Sequence, residues 1–320
     1  MSTNNDNCEF SSAPSGCMWR RTARRTFLRA TTISLALVWL CVGCIASRPS
    51  IARFGIVSDC HYADKNSVNS RYYRESLAKL TECIEVMNKQ EVDFLIELGD
   101  FIDEGADEAA TISYLQAVEG VFRRFRSPVY HVLGNHDIAG VTKDEFLANI
   151  KNTGIVPFTS KYYSFDFNGL HIVVLDGNYL ADGTDCAPGN FDWTDTNIPV
   201  AELKWFKTDL CGTGKPVIVF IHQRLDGSGS FYVNNSADVR QIMEDSGKVL
   251  AVFQGHHHEG GYSQIGGIYY YTLRAMVENS GQENNSYAVI EVHTDGSISI
   301  CAYRKAVDME LGAKCAIANK

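Results

Sequence analysis

Phe94-Leu95-Ile96-Glu97-Leu98-Gly99-Asp100 is a short, mostly apolar run that stops on a glycine and a carboxylate. Such a run reads as a strand buried on both faces, the pattern of a parallel sheet. The form recurs four times: Phe54–Ser58 runs into Asp59-Cys60-His61, Val129–Leu133 into Gly134-Asn135-His136-Asp137, Pro216–Ile221 into His222, and Val249–Gln254 into Gly255-His256-His257-His258. In wound α/β sheets, ligand sites gather outside the carboxyl ends of the strands. The five polar tips are therefore expected to converge on one crevice.

Amphipathic segments lie between the tips. Residues 71–90 place Tyr72, Leu77, Leu80, Ile84 and Met87 near helical spacing, and 107–125 and 142–151 are further helix candidates. Tyr162–Phe167 alternates as a strand, turns at Asn168-Gly169 and returns over His171–Leu175. Helical pattern resumes at Pro199–Leu210, and the C-terminal part is strand-rich over Ile268–Leu273, Tyr287–Val292 and Ser297–Tyr303, with a turn at Asp295-Gly296. Two segments, 177–199 and 224–236, are rich in Gly, Asp, Asn and Ser and read as long loops, expected to wall the site. The expected fold class is α/β: a four-layer αββα sandwich of two mixed sheets flanked by helices.

The 320 residues, 45% hydrophobic, suffice for a large core. Residues 1–46 carry five Arg against Asp6 and Glu9; subtracting that +3 from the net charge of −9 leaves about −12 for the rest. So acidic a body repels nucleic acid, and no nucleic-acid partner is expected. Arg24-Arg25-Thr26-Phe27-Leu28-Arg29 fits the twin-arginine export pattern and precedes an apolar stretch from Ala30 to Ala46. Its 17 residues, interrupted by Thr31, Thr32 and Ser34, fall short of the roughly 20 a membrane span needs. The expected organisation is a twin-arginine-type signal segment over 1–46 and a catalytic domain over 47–320. Export to the periplasm or cell surface follows, with the translocation machinery as a partner and either cleavage after Ala46 or a membrane tether through lipidated Cys44. The body holds Cys60, Cys83, Cys186, Cys211, Cys301 and Cys315 without a C-x-x-C pair, which argues against a zinc ribbon.

Asp, His and Asn without clustered thiolates suit Mn²⁺, Fe²⁺ or Zn²⁺. Two ions about 3.5–4 Å apart need a carboxylate that reaches both. Asp100 is the bridging candidate, because Gly99 lets the chain turn sharply there and the other tips bring nitrogen donors.

In order, Asp59-x-His61, Gly99-Asp100-x-x-Asp103, Gly134-Asn135-His136-Asp137, His222 and Gly255-His256-x-His258 resemble the signature of the calcineurin-like metallophosphoesterases, over about residues 52–300. The resemblance implies a dinuclear centre in which Asp59, His61, Asp100 and His258 hold one ion and Asp100, Asn135, His222 and His256 the other. It also implies that His136 protonates the departing oxygen while Asp137 orients its ring. Tyr62-Ala63-Asp64, Arg71-Tyr72-Tyr73-Arg74-x-Ser76-Leu77, Gly99-Asp100-Phe101-Ile102-Asp103 and Gly255 to Ser263 look more narrowly like the manganese-dependent ADP-ribose/CDP-alcohol diphosphatase branch, which usually has Gln in place of His61.

The expected function is metal-dependent hydrolysis of a phosphate ester or anhydride, the substrate being a small nucleoside-diphosphate-linked molecule such as ADP-ribose or a CDP-alcohol. The alternatives are a broad phosphomonoesterase or phosphodiesterase, and a non-catalytic metal-containing surface binding protein. Residues outside the tips are read as structural: His131, His171 and His293 lie within strand patterns, Cys60 turns to the core, and Tyr269-Tyr270-Tyr271 reflects strand propensity. Asp103 is a candidate partner for a ligand histidine.

Overall fold

The computed structural model describes residues 48–312. The twin-arginine motif, the apolar stretch after it and Cys44 lie outside the described residues. In chain order the elements are β1 (Ser50–Val57), α1 (Ser76–Gln90), β2 (Phe94–Glu97), α2 (Glu108–Phe122), β3 (Val129–His131), α3 (Lys143–Asn149), β4 (Tyr163–Phe167), β5 (Leu170–Val174), α4 (Val200–Gly212), β6 (Val217–Phe220), α5 (Ser236–Ser246), β7 (Val249–Gln254), β8 (Gly261–Ile265), β9 (Ile268–Thr272), β10 (Ser286–His293), β11 (Ile298–Arg304) and β12 (Met309–Leu311). They form two six-stranded mixed sheets, ordered β12-β11-β10-β1-β2-β3 and β4-β5-β6-β7-β9-β8. β1, β2 and β3 run parallel in the first, as do β5, β6, β7 and β9 in the second.

Alternating side chains build the layers. Phe54, Ile56, Phe94 and Ile96 of the first sheet meet Ile172, Phe220 and Phe253 of the second in one core between the sheets. Phe54 stacks on Phe94 with ring centroids 4.7 Å apart and meets Phe220 edge-on at 5.6 Å. The opposite faces carry helices: Leu80, Cys83 and Met87 of α1 and Leu115 and Phe122 of α2 cover Val57, Leu95 and Val289, while Phe206 of α4 and Met243 of α5 cover Val173, Val219 and Val252. This is the expected four-layer α/β sandwich, and it explains why the parallel strands are mostly apolar.

Local chemistry sets the helix ends. Asp107 caps α2 by accepting the Ala110 N–H at 2.8 Å, and Thr142 with Glu145 forms a capping box on α3. The helix expected over 71–90 begins only at Ser76, after a single 3₁₀ turn at Tyr73–Glu75. α5 has no counterpart among the expected elements. Its apolar Val239, Ile242 and Met243 stand at helical spacing and pack under the second sheet, a short stripe directly after the loop expected over 224–236. Among the described residues no helix is long and apolar enough to cross a membrane.

Candidate metal centre

The tips of β1, β2, β6 and β7 interlock through backbone bonds. Asp59 N–H donates to Gly99 O at 3.0 Å, His61 N–H to Asp100 O at 2.8 Å, and Gly255 N–H to His222 O at 3.0 Å. Met276 and Val277 N–H then donate to Ser58 and Asp59 carbonyls, tying the segment after β9 to the tip of β1. Within this frame Asp59, His61, Asp100 and His256 have positive φ of 52°, 45°, 56° and 67°. Non-glycine residues held there cost on the order of 1 kcal/mol or more each, and such strain concentrates at ligand sites. Gly99 turns the chain as expected at φ +97°, and a Cβ on it would lie 2.6 Å from the His222 ring.

Two groups of donors result. Asp59, His61 and His258 form one, and Asp100, His222 and His256 the other, with a third and overlapping group of His61, Asp100 and His136 linking them; the ligand atoms lie within 4.8 Å of one another in each. In the first, Nε2 of His61 lies 3.1 Å from Nε2 of His258, and Asp59 Oδ1 is 3.8 and 3.5 Å from these nitrogens. Oδ2 of Asp100 faces both groups, 3.4 Å from His61 Nε2 and 3.1 Å from His222 Nε2. Its other oxygen is held by the His136 N–H at 2.8 Å. Asn135 is buried at the β3 tip, and neither atom of its amide has a hydrogen-bond partner; the buried Nε2 of His256 lacks one too. Buried polar atoms left unpaired are costly without a ligand. The residues fit a pair of divalent cations.

The histidine tautomers agree with this. His222 Nδ1 lies 2.8 Å from the Leu98 carbonyl, which only accepts, so Nδ1 carries a hydrogen and Nε2 is the atom that presents a lone pair once the ring gives up its second proton. Burial lowers His61 to about 4, against the opposing pull of Asp100 and Asp103, and burial with the neighbouring His222 keeps His256 well below the usual range. Both rings are neutral donors. Burial also opposes charge on His222, but Asp100 and Asp59 outweigh it and raise the ring to about 9. Burial acts against ionisation of Asp100, and His222, His136 and His61 outweigh it, holding the carboxyl well below its usual value.

His136 stands at the mouth with its side chain 23% exposed and its Nδ1 3.5 Å from Asp103 Oδ2. Asp103 also lies 3.4 Å from His61 Nδ1 and takes Lys65 Nζ at 2.8 Å. Burial depresses protonation of His136, but Asp100 and Asp103 prevail and its pKa is raised. The expectation that Asp137 orients this ring is corrected. The Asp137 carboxylate instead accepts the backbone N–H groups of Asp100, Phe101, Ile102 and Gly134 at 2.8–3.1 Å. Burial, reinforced by the Asp100 charge, raises it to about 7 against those hydrogen bonds.

Two positioning residues had no motif to reveal them. Glu278 accepts from His258 Nδ1 at 2.5 Å, and buried Lys79 of α1 donates to the carbonyls of Met276, Glu278 and Asn279 at 2.8, 2.9 and 2.6 Å. The weak signal for Glu278 is its place just after the apolar Ala275-Met276-Val277. The residues read as structural behave so: His131 sits 3.1 Å from Glu119, His171 between Asp166 and Asp209, His293 against Ser299, and buried Cys60 against Met276. His257 packs on Phe231 outside both donor groups.

Adjoining clefts of about 770 and 470 Å³ share Ser70, His258, Glu259 and Glu278 beside the donors. Both long loops border the centre, since the Trp193 and Phe231 rings lie 5.9 and 5.6 Å from His256.

A family model described as calcineurin-like phosphoesterase matches residues 52–260. The chain is 26% identical to a rice manganese-dependent ADP-ribose/CDP-alcohol diphosphatase over 83% of this chain and 95% of the relative. The human protein of that name is 24% identical, covering 76% of this chain and 87% of its own. In fold, a crystal structure of a dimetal phosphatase from Danio rerio superposes with a TM-score of 0.71 at 18% identity, over 82% of this chain and 99% of that one.

Proposed function

The chain belongs to the calcineurin-like phosphoesterases and is a metal-dependent phosphate ester or anhydride hydrolase with two divalent ions, and from that premise we propose that it cleaves small nucleoside-diphosphate-linked molecules such as ADP-ribose or a CDP-alcohol. The observation that carries the reading is the alignment with manganese-dependent diphosphatases along nearly their whole length. An open cleft of about 770 Å³ beside the donors supports it, being roomy enough for more than a bare phosphate.

In this reading Asp59, His61, Asp100 and His258 hold one ion, and Asp100, Asn135, His222 and His256 hold the other. When bound, the pair lowers the pKa of an attacking water and offsets the charge that develops on the phosphoryl oxygens. The chain's own residues do the rest. His136 delivers a proton to the oxygen that departs as the P–O bond breaks, its Nδ1 facing Asp103, which stabilises the imidazolium before transfer. Asp137 holds the Gly134 and Asp100 backbones in register, and Glu278 keeps the His258 ring aligned.

The test is a substrate panel with added Mn²⁺: ADP-ribose, CDP-choline and p-nitrophenyl phosphate compared by kcat/KM. Preference for the diphosphates is expected, and higher efficiency on the monoester would replace this reading with that of a broad phosphomonoesterase. Export through the leader belongs to the same proposal. A fractionation experiment in which Lys replaces Arg24 and Arg25 should strand the enzyme in the cytoplasm.

A further inference from the structure

We propose that Arg274 and Lys305 form a subsite for the phosphate that is not attacked, so that this enzyme selects substrates with a second, adjacent phosphate over monoesters. The inference rests on the diphosphate reading above and deepens it. Both cations line the larger cleft together with His258, a member of the donor group at its inner end. Among the described residues neither one is in an ion pair, and the same holds for Arg71 in the adjoining cleft, whereas Arg48, Arg53, Arg74, Arg224 and Arg304 each have a carboxylate within reach.

The placement of Arg274 is built into the backbone. Ala275 N–H donates to His258 O at 3.1 Å, which fixes the start of the segment carrying Arg274 against the metal-bearing turn. Gly260 takes φ +73° in that turn, and a Cβ there would lie 2.7 Å from Cγ of Arg274, so the glycine leaves space for the guanidinium stem to cross. Lys305 is fixed from the other side, its N–H donating to Asn285 O at 2.9 Å.

Charge within the cleft points the same way. Its two carboxylates, Glu259 and Glu278, match the two cations in number, but Glu278 is turned to His258 Nδ1 at 2.5 Å and neither carboxylate is paired with Arg274 or Lys305. On a body of about −12, unpaired cations beside a dinuclear centre make a local basin for a polyanion. An arginine fork suits phosphate oxygens in particular. Past Arg274 the cleft opens onto a recess of about 280 Å³ walled by Tyr262, Tyr271, Val307 and Met309, suited to the uncharged organic group that a diphosphate carries.

The experiment uses the Mn²⁺-loaded full-length enzyme and the variants Arg274→Ala, Lys305→Ala and the double variant, with kcat/KM measured on ADP-ribose, CDP-choline and p-nitrophenyl phosphate. Calorimetric binding of α,β-methylene-ADP provides a readout independent of turnover. The ratio of diphosphate to monoester efficiency should fall about tenfold for each cation removed, chiefly through KM. Arg274→Lys should restore part of the loss, and Tyr262→Ser should weaken ADP-ribose more than p-nitrophenyl phosphate. An unchanged ratio overturns the subsite. If the wild type cleaves the monoester and neither diphosphate, the substrate reading above falls. The subsite is then decided by α,β-methylene-ADP, for which equal affinity in wild type and double variant overturns it.

Discussion

The carboxylate of Asp137 accepts the backbone N–H of Asp100 at 2.9 Å, and the same side chain gathers the N–H groups of Phe101, Ile102 and Gly134. The residue next to His136, the proposed general acid, is thus a splice between the tips of β2 and β3. Asp137→Ala would orphan four buried donors and should destabilise the fold by about 3 kcal/mol or more. Differential scanning calorimetry and metal analysis should show both Tm and metal content falling. Loss of turnover with unchanged Tm and metal would contradict the splice.

His136→Ala should behave in the opposite way. Metal content and Tm stay near wild type, while turnover on poor leaving groups drops by roughly 10²–10⁴-fold and p-nitrophenyl phosphate suffers less. Asp103→Asn should shift the acidic partner of His136 and move the alkaline limb of the kcat profile to lower pH, because the raised pKa of His136 depends on Asp103 as well as Asp100.

Metal uptake should release a proton from His222. With Asp100 beside it the ring stays protonated up to about pH 9 in the metal-free protein, whereas His61, lowered to about 4, is already neutral. Titrating Mn²⁺ at pH 7 in buffers of differing ionisation enthalpy should reveal release of about one proton, and affinity should rise with pH toward 9. No buffer dependence would refute this assignment.

A pH-dependent staple lies away from the centre. His171 is bonded to Asp209 at 2.7 Å and Asp166 at 2.8 Å, and these hydrogen bonds raise its pKa in the order Asp209, then Asp166, against burial. A raised folded pKa means the stabilisation is complete below the unfolded value of about 6.5 and disappears as pH climbs through the folded value. Urea denaturation from pH 6 to 9 should therefore show wild type losing more stability than His171→Asn. Parallel curves would argue against the staple.

The strand tips were legible because a buried parallel strand must be apolar and its chemistry must follow it, which located Asp59, Asp100, His222 and His256 without any contact information. Asp137 was misassigned for a local reason. It sits in a 3₁₀ turn spanning His136–Ile138, where successive side chains diverge by about 120°. Adjacency to His136 in sequence therefore separates the two in space. Glu278 and Lys79 were illegible for a distant one: their partners lie 20 and about 200 residues away, and only the sheet order brings them together.

Asp59, His61, Asp100 and Asn135 hang from one sheet, and His222, His256 and His258 from the other. Any cation caged there fastens two separately layered slabs, making it a rivet as well as a reagent. At free ion about 100 times its Kd, each filled position adds about 2.7 kcal/mol to the folded state. Stripping its divalent ions would thus make this enzyme fragile as well as idle.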